Sequence, residues 1–283
     1  MPLTGPDNPF GNRLTGSAHC AEPLYRLPSA ARVAQVIRAE AFEVVYQPIV
    51  DIQGPGGAPR TVGYEALSRF TTGSPPTWFT AASRAGLRVG LELAAIRSAI
   101  AGFGPAPSGA YLALNASVET LCSPFLLDSL EGIEPGRVVL ELPEDTVTES
   151  YERTKGQIHR LVGQGYRLAM DDLARGRIDL RYLIRLQPSI IKIDISMIRD
   201  VDVDASKQSL VNGMRLLGDI LKAEVIAEGI ERTGELGHVQ RLGVQFGQGF
   251  LLGPPGPIES LTSPRERFRR HPGDLRRLAV GYR

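Results

Sequence analysis

Residues 44–67 read VVYQPIVDIQGPGGAPRTVGYEAL and determine how the chain begins its sheet. The β-branched run VVYQPIVDI and the later run VGYEAL flank a connector of about nine residues with three glycines and two prolines. A connector this short cannot cross over between parallel strands. The stretch therefore predicts an antiparallel hairpin near the start of the fold.

Seven short apolar runs follow one another from this hairpin onward, and each contains a residue able to bind a metal or a phosphate. In chain order these residues are Glu65, Asn115, Glu141, Asp171 with Asp172, Lys192 with Asp194, Glu228, and Gln248. The steps between runs are 50, 26, 30, 21, 36 and 20 residues, and most fit one strand, one helix and two loops. One polar group near the end of each buried strand is typical of a (β/α) barrel with its active site at the C-terminal face.

Helical patterns separate the later runs and indicate a parallel sheet. The predicted helices are 92–101, 154–162, 180–185 and 208–221. An earlier helix is expected from Ser29, as its N-cap, to about Glu40. The predicted fold is therefore α/β, a modified TIM (β/α)8 barrel with one antiparallel strand.

Composition narrows the class of protein. The 283 residues have a formal charge of +1, 42% hydrophobic residues and 22% charged residues. Such a mixture can bury a full core, and the low net charge argues against a general nucleic-acid binder. The two cysteines, Cys20 and Cys122, form no CxxC pair. There is no signal-like or membrane-spanning run, so we expect a cytoplasmic location.

Three segments are expected. Residues 1–26 are rich in Pro, Gly, Asn and Ser and predict a flexible leader, residues 27–260 predict the barrel, and residues 261–283 predict a basic tail. The segment from Pro264 holds seven arginines and two acidic residues. It could form a solvated helix on the barrel or contact phosphate or an anionic lipid surface.

The polar residues of the apolar runs are best explained as parts of one site. Five of them, four of which are carboxylates, would converge on one barrel mouth: Glu65, Asn115, Glu141, Asp171 and Glu228. Each would cost several kcal/mol if buried without a partner, and the carboxylates would repel one another unless cations neutralised them. A divalent metal centre is the economical interpretation.

The ordered motifs resemble those of the EAL domain, the bacterial cyclic di-GMP phosphodiesterase. The resemblance begins with QPIV at 47–50 and EAL at 65–67, followed by Arg69. It continues through LNAS, ELPE at 141–144, DD at 171–172 and KID at 192–194, and ends with AEGIE at 227–231 and QGFLLG at 248–253. A lone EAL tripeptide has little value as a signal, whereas the full series over roughly residues 43–255 is highly specific.

The resemblance implies a role for each residue. The first of two Mg²⁺ or Mn²⁺ ions would be held by Glu65, Asn115, Glu141 and Asp171. Asp171 would bridge to the second ion, which Asp172 and Glu228 would also serve. Lys192 would orient the attacking water and act in catalysis with Glu65 and Glu228. Substrate contacts would come from Gln47, Arg69, Asp194 and Gln248. Two metals can lower the pKa of a shared water and stabilise the attacking and leaving oxygens.

One loop departs from the family pattern. The family usually follows its two aspartates with FGTGYSSL, whereas residues 173–180 read LARGRIDL. In the family a glutamate matching Glu144 steadies this loop. Here Arg175 or Arg177 could pair with Glu144 instead. The altered loop bears on turnover and on affinity for the second metal.

Three functions follow from the resemblance and this departure. The first is a metal-dependent phosphodiesterase that hydrolyses cyclic di-GMP to linear pGpG. The second is a catalytically weak or inactive cyclic di-GMP receptor that signals through a protein partner. The third is a partner-binding barrel that no longer binds the ligand. A homodimer is expected, and no sequence-specific nucleic acid is expected as a partner.

Overall fold

The computed structural model describes residues 27–54, 59–173 and 180–261, with the side chains of 144–151, 172, 180 and 182 outside that description. The strands are β1 (Phe42–Asp51), β2 (Arg60–Phe70), β3 (Tyr111–Asn115), β4 (Val138–Pro143), β5 (Arg167–Leu173), β6 (Ile190–Ile193), β7 (Glu224–Ala227) and β8 (Phe246–Gly247). The helices are α1 (Ala30–Ala39), α2 (Pro75–Arg84), α3 (Arg88–Ala101), α4 (Val118–Leu121), α5 (Leu126–Ser129), α6 (Glu144–Gly163), α7 (Leu180–Leu186), α8 (Ile195–Ile198), α9 (Ala205–Leu221) and α10 (Thr233–Arg241).

The eight strands close into a barrel in chain order. β1 pairs antiparallel with both β2 and β8, and every other neighbouring pair is parallel. The predicted hairpin and the predicted (β/α)8 barrel with one antiparallel strand are both confirmed. In the hairpin Gln47 lies opposite Glu65, which brings two predicted site residues together on neighbouring strands.

Alternation along the strands determines which side chains enter the barrel. The interior apolar cluster takes one residue from most strands: Ile49, Tyr111, Ala113, Val139, Ala169, Ile190, Ile226 and Phe246. Successive side chains of a strand point to opposite faces, so the residue two positions along each strand also faces inward. Two positions beyond Val139, Ala169 and Ile190 come Glu141, Asp171 and Lys192. The apolar interior thus ends in a polar layer at the barrel mouth.

The opposite, N-terminal end of the barrel is filled by an aromatic ring. A Cβ at Gly63 would lie 2.5 Å from Cε2 of Tyr111, so the strand needs glycine where this ring crosses it. The guanidinium of Arg167 lies 5.2 Å from the ring centroid of Tyr111 and forms an ion pair with Glu224. This end of the barrel is packed rather than open.

A larger apolar cluster lies between the strands and the surrounding helices. From β3 and β4 it takes the alternate residues Leu112, Leu114, Val138 and Leu140, all at most 2% exposed. Because the strands bury both faces, they appear in the sequence as nearly continuous apolar runs.

The predicted helices are present, but several begin earlier than their apolar periodicity indicates. Ser29 caps α1 as expected by accepting a hydrogen bond from the backbone N–H of Arg32. α6 begins at Glu144, directly after β4, rather than at Thr154. α9 begins after Asp204, which accepts hydrogen bonds from two backbone N–H groups of the polar first turn. The polar first turns of α6 and α9 show no apolar period.

The predicted leader at 1–26 and all but the first residue of the predicted tail lie outside the described residues. Within those that are described, no helix is long and apolar enough to cross a membrane.

Candidate active site at the barrel mouth

Lys192 lies at the centre of the barrel mouth. Its side chain is 1% exposed. Its Nζ atom lies within ion-pair distance of four carboxylates: 2.8 Å from Glu228 Oε1, 3.0 Å from Glu141 Oε2, 3.3 Å from Glu65 Oε2 and 3.3 Å from Asp171 Oδ1. The four carboxylates that the sequence predicted to converge are therefore gathered around one ammonium group, and the fifth predicted residue, Asn115, contacts Glu65.

Five strands of the barrel position this cluster. Glu65, Glu141, Asp171 and Lys192 lie in β2, β4, β5 and β6, and Glu228 follows the last residue of β7. The backbone N–H of Glu228 donates to the carbonyl of Ile193, which continues the pairing of β6 and β7 past the end of the strand. Gly229 then turns the chain with a φ of 67°, in close contact with Ile195, where a Cβ would clash.

Two amide side chains fix the orientation of Glu65. Asn115 Nδ2 donates to Glu65 Oε1 at 3.0 Å, and Gln248 Nε2 donates to Glu65 Oε2 at 2.7 Å. Gln248 Nε2 also lies 3.0 Å from Gln47 Oε1, and Gln47 Nε2 donates to the carbonyl of Gly253. The two strands that close the barrel are thus joined through side chains of the site.

The crowding of like charges shifts the pKa values of the cluster. Burial raises the pKa of Glu228 to about 8, and burial with the charge of Glu65 raises that of Glu141 well above its ordinary value. Burial alone would also raise the pKa of Glu65, but Lys192 and the hydrogen bonds from Gln248 and Asn115 lower it. Burial acts to lower the pKa of Lys192, yet the four carboxylates raise it well above its ordinary value. The cluster thus raises the pKa of Lys192 in the direction of the charged ammonium, while burial raises the pKa of Glu141 and Glu228 in the direction of the neutral carboxyl.

The donor chemistry of the cluster fits a hard divalent cation. Four carboxylates and the Asn115 amide supply oxygen ligands of the kind that Mg²⁺ and Mn²⁺ prefer, against one compensating lysine. The buried atom Gln248 Oε1 has no hydrogen-bond partner among the described residues, and Asp171 Oδ1 has only the ion-pair contact with the Lys192 ammonium at 3.3 Å. A buried oxygen without a well-aligned donor is costly, and a cation or its water would satisfy both atoms.

The described residues contain no group of three or more acidic, histidine or cysteine side chains arranged around a metal position. The carboxylates instead converge on the Lys192 ammonium. The side chain of Asp172, a predicted ligand of the second metal, lies outside the described residues. Four of the predicted metal ligands thus surround a lysine. The role of the predicted ligands in metal binding stays a prediction.

The other predicted site residues have distinct positions. Asp194 is buried and caps α8 by accepting a hydrogen bond from the backbone N–H of Ser196. Arg69 lines a cavity beside Glu65, with its Nη1 donating to the carbonyl of Ser68. The substrate contacts proposed for Gln47, Arg69, Asp194 and Gln248 stay predictions.

The predicted pairing of Glu144 with Arg175 or Arg177 lies outside the described residues.

Glu92, a buried acidic residue of α3, also belongs to this region and was not predicted as a site residue. Glu92 is 5% exposed and faces the same cavity as Arg69. Its carboxylate accepts hydrogen bonds from Arg88 Nε and from both the backbone N–H and the hydroxyl of Ser117, two residues after Asn115. An acidic residue inside the apolar run LELAAI was the available signal, because such a residue needs a buried partner.

Fold and site together define an α/β barrel with an acidic, lysine-centred mouth. Comparison with known proteins assigns the family: the EAL domain model matches residues 30–255, and the chain belongs to the EAL domain family.

Curated relatives include two proteins named for cyclic di-GMP phosphodiesterase activity. Over 158 residues the chain is 31% identical to the bifunctional diguanylate cyclase/cyclic di-GMP phosphodiesterase MucR of Pseudomonas aeruginosa, covering 54% of this chain and 23% of MucR. It is 32% identical over 126 residues to the probable cyclic di-GMP phosphodiesterase PdeA of Escherichia coli, covering 44% of this chain and 17% of PdeA. The chain therefore matches only a minor part of each of these longer relatives.

Solved structures with the same fold include complexes with the cyclic dinucleotide. The phosphodiesterase of PaMucR in complex with c-di-GMP superposes with a TM-score of 0.72 at 27% identity, covering 81% of this chain and 98% of that one. The calcium/cy-diGMP complex of Klebsiella pneumoniae BlrP1 gives a TM-score of 0.70 at 31% identity, covering 77% and 56%. BlrP1 has also been solved as a manganese/cy-diGMP complex.

Proposed function

We propose that this chain is a metal-dependent phosphodiesterase that hydrolyses cyclic di-GMP to linear pGpG. The observation that supports it best is the convergence of four carboxylates on the buried ammonium of Lys192 at the barrel mouth. Relatives named as cyclic di-GMP phosphodiesterases, and structures of relatives with this nucleotide and Ca²⁺ or Mn²⁺, supply the substrate and the class of metal.

The proposed metal ligands lie in strands β2 to β5 or directly after β7. The first ion would be held by Glu65, Asn115, Glu141 and Asp171, and the second by Asp171, Asp172 and Glu228. Two divalent cations would supply charge that lowers the pKa of the attacking water and stabilises the oxygens of the phosphodiester.

The side chains of the site have defined tasks in this reaction. Lys192 offers three N–H donors, and its central position suits it to orient the attacking water and to offset negative charge as the phosphorus–oxygen bond breaks. Asn115 and Gln248 hold the carboxylate of Glu65 in one orientation. Gln47, Arg69 and Asp194 are proposed to contact the dinucleotide. Addition of one water to one phosphodiester opens the ring, and its protons end on the released hydroxyl and the new phosphate.

A direct assay tests the proposal. Purified protein is incubated with cyclic di-GMP and Mn²⁺ or Mg²⁺, and the nucleotides are separated by chromatography. Formation of pGpG that stops on addition of EDTA supports the phosphodiesterase. Absence of turnover under these conditions would refute it.

A cyclic di-GMP receptor is the second candidate, because residues 173–180 depart from the family pattern beside Asp172 and the described carboxylates contact Lys192. A receptor would bind cyclic di-GMP with an affinity measurable by calorimetry and would leave it intact in Mn²⁺. Binding without turnover therefore selects the receptor over the enzyme.

A further inference from the structure

A cavity of about 330 Å³ opens directly beside the metal-ligand cluster. Its lining includes Glu65 and Asn115 together with Arg69, Arg88, Pro75 and Phe79. The proposed function requires the scissile phosphodiester to lie beside Glu65 and Asn115. The nucleoside attached to that phosphodiester would then occupy the cavity that these two residues help to line.

Part of the cavity wall is a fixed aromatic ring. Phe79 packs edge-on against Phe70, with ring centroids 6.1 Å apart, and Phe70 stacks on the buried Trp78 at 4.9 Å. Aromatic side chains held in this way offer a stacking surface for a nucleobase. Stacking alone distinguishes poorly between bases, because every base has a π-face.

Arg88 is the cavity residue best able to distinguish them. It is the first residue of α3, and its Nε donates to Glu92 Oε1 at 2.7 Å. Glu92 is in turn held by the backbone N–H of Ser117 at 2.8 Å and by the Ser117 hydroxyl at 2.7 Å. Within the described part of the chain, the guanidinium of Arg88 makes no other hydrogen bond or ion pair. One edge of the guanidinium is therefore anchored, and its terminal nitrogens are available to a ligand.

We propose that Arg88 is a specificity-determining residue that recognises guanine through its N7 and O6 atoms. Two adjacent acceptors on the purine edge match the paired donors of an arginine. Adenine presents an amino donor in place of O6 and would oppose the same guanidinium. Glu92 acts as a positioning residue, since it fixes the arginine through a bond that the ligand does not use. This inference rests on the proposed cyclic di-GMP site.

The test compares cyclic di-GMP with its 7-deazaguanine analogue, which lacks the N7 acceptor, by calorimetry in Ca²⁺. Arg88→Ala would leave the buried Glu92 carboxylate without its cation and could harm the fold. Arg88→Lys keeps a cation for Glu92, but a single ammonium cannot hold Glu92 and also offer guanine the paired, planar donors of a guanidinium. Arg84→Lys is the matched control, since Arg84 is exposed and lies outside the cavity lining.

The wild type and the Arg84→Lys variant should bind cyclic di-GMP about tenfold more tightly than the analogue, and Arg88→Lys should reduce this ratio to about twofold. A wild type that binds both ligands equally would overturn the inference. An Arg88→Lys variant whose affinity for both ligands falls by the same factor would also overturn the inference, because that pattern indicates a contact with phosphate. A wild type that binds neither ligand would instead refute the proposed cyclic di-GMP site itself, and the inference with it.

Discussion

Lys192 Nζ lies 3.0 Å from Glu141 Oε2, and both side chains are 1% exposed. Both side chains are almost fully shielded from solvent, so Glu141 depends on Lys192 for a counter-charge in the metal-free protein, whereas Lys192 also contacts three other carboxylates. A buried ion pair of this kind contributes modestly as a pair, but losing one partner leaves an uncompensated charge. Removing the lysine should therefore affect both the stability of the protein and the proposed reaction.

Lys192→Ala should lower the free energy of unfolding in EDTA by about 3–5 kcal/mol, because the carboxylates around it lose their common cation. Added Mn²⁺ should recover part of this loss. With metal present, the variant should show a strongly reduced kcat and little change in KM, since the ammonium matters most as charge develops in the transition state. Urea denaturation with steady-state kinetics measures both quantities. An effect confined to KM would contradict the role given to Lys192.

Glu65→Ala should abolish hydrolysis of cyclic di-GMP while the fold is retained. Glu65 accepts hydrogen bonds from three side chains of the site, so its loss removes a proposed metal ligand and the anchor of Asn115 and Gln248. Glu43→Ala is the matched control, because Glu43 lies in the adjacent strand with an exposed side chain. Turnover at the wild-type rate in the Glu65 variant, with circular dichroism unchanged in both, would show that the site is elsewhere.

Much of this site follows from the sequence because strand alternation is a local property. Once Val139 and Ala169 face inward, Glu141 and Asp171 must face inward as well. The hairpin at 44–67 likewise follows from a connector too short to cross over. The contact of one ammonium with four carboxylates was not predictable in this way. It depends on how the strands are staggered around the closed barrel, and no single run of sequence determines that stagger.

The cavity residues were harder to predict. Arg88 and Glu92 lie at the start of α3, four residues apart, where a helix of mostly apolar residues gives no sign of which side chain faces a ligand. Their contacts depend on how α3 packs against the turn after β3, a relation between segments distant in sequence. The altered loop after Asp172 is a different case: its departure from the family pattern is visible in the sequence.

The raised pKa of Glu228, about 8, predicts a pH dependence with a definite sign. In the metal-free protein the folded state holds a proton that the unfolded state releases near the ordinary carboxyl pKa, so this contribution to stability is lost as pH rises toward 8. Metal binding must displace the same proton, and Mn²⁺ affinity should therefore increase with pH up to about 8. Calorimetric titration from pH 6 to pH 9 measures the affinity.

Glu228→Gln serves as the comparison for this titration. It carries no ionisable proton at that position, so its weaker Mn²⁺ binding should depend less on pH than that of the wild type. Equal pH dependence in the two proteins would assign the titration to another group, with Glu141 the first to consider, since burial also raises its pKa.

Gln248→Glu tests the amide that joins the two ends of the barrel sheet. Gln248 Nε2 donates to both Glu65 and Gln47, and the substitution replaces this donor with a second carboxylate facing Glu65. In EDTA the melting temperature of the variant should fall further between pH 5 and pH 8 than that of the wild type, because deprotonation adds repulsion between the two carboxylates. Excess Mn²⁺ should restore the melting temperature at pH 8 if a cation binds between them. Gln248→Leu, which removes the donor without adding charge, should lack the metal-dependent recovery, and equal recovery in both variants would place the bound cation away from Glu65.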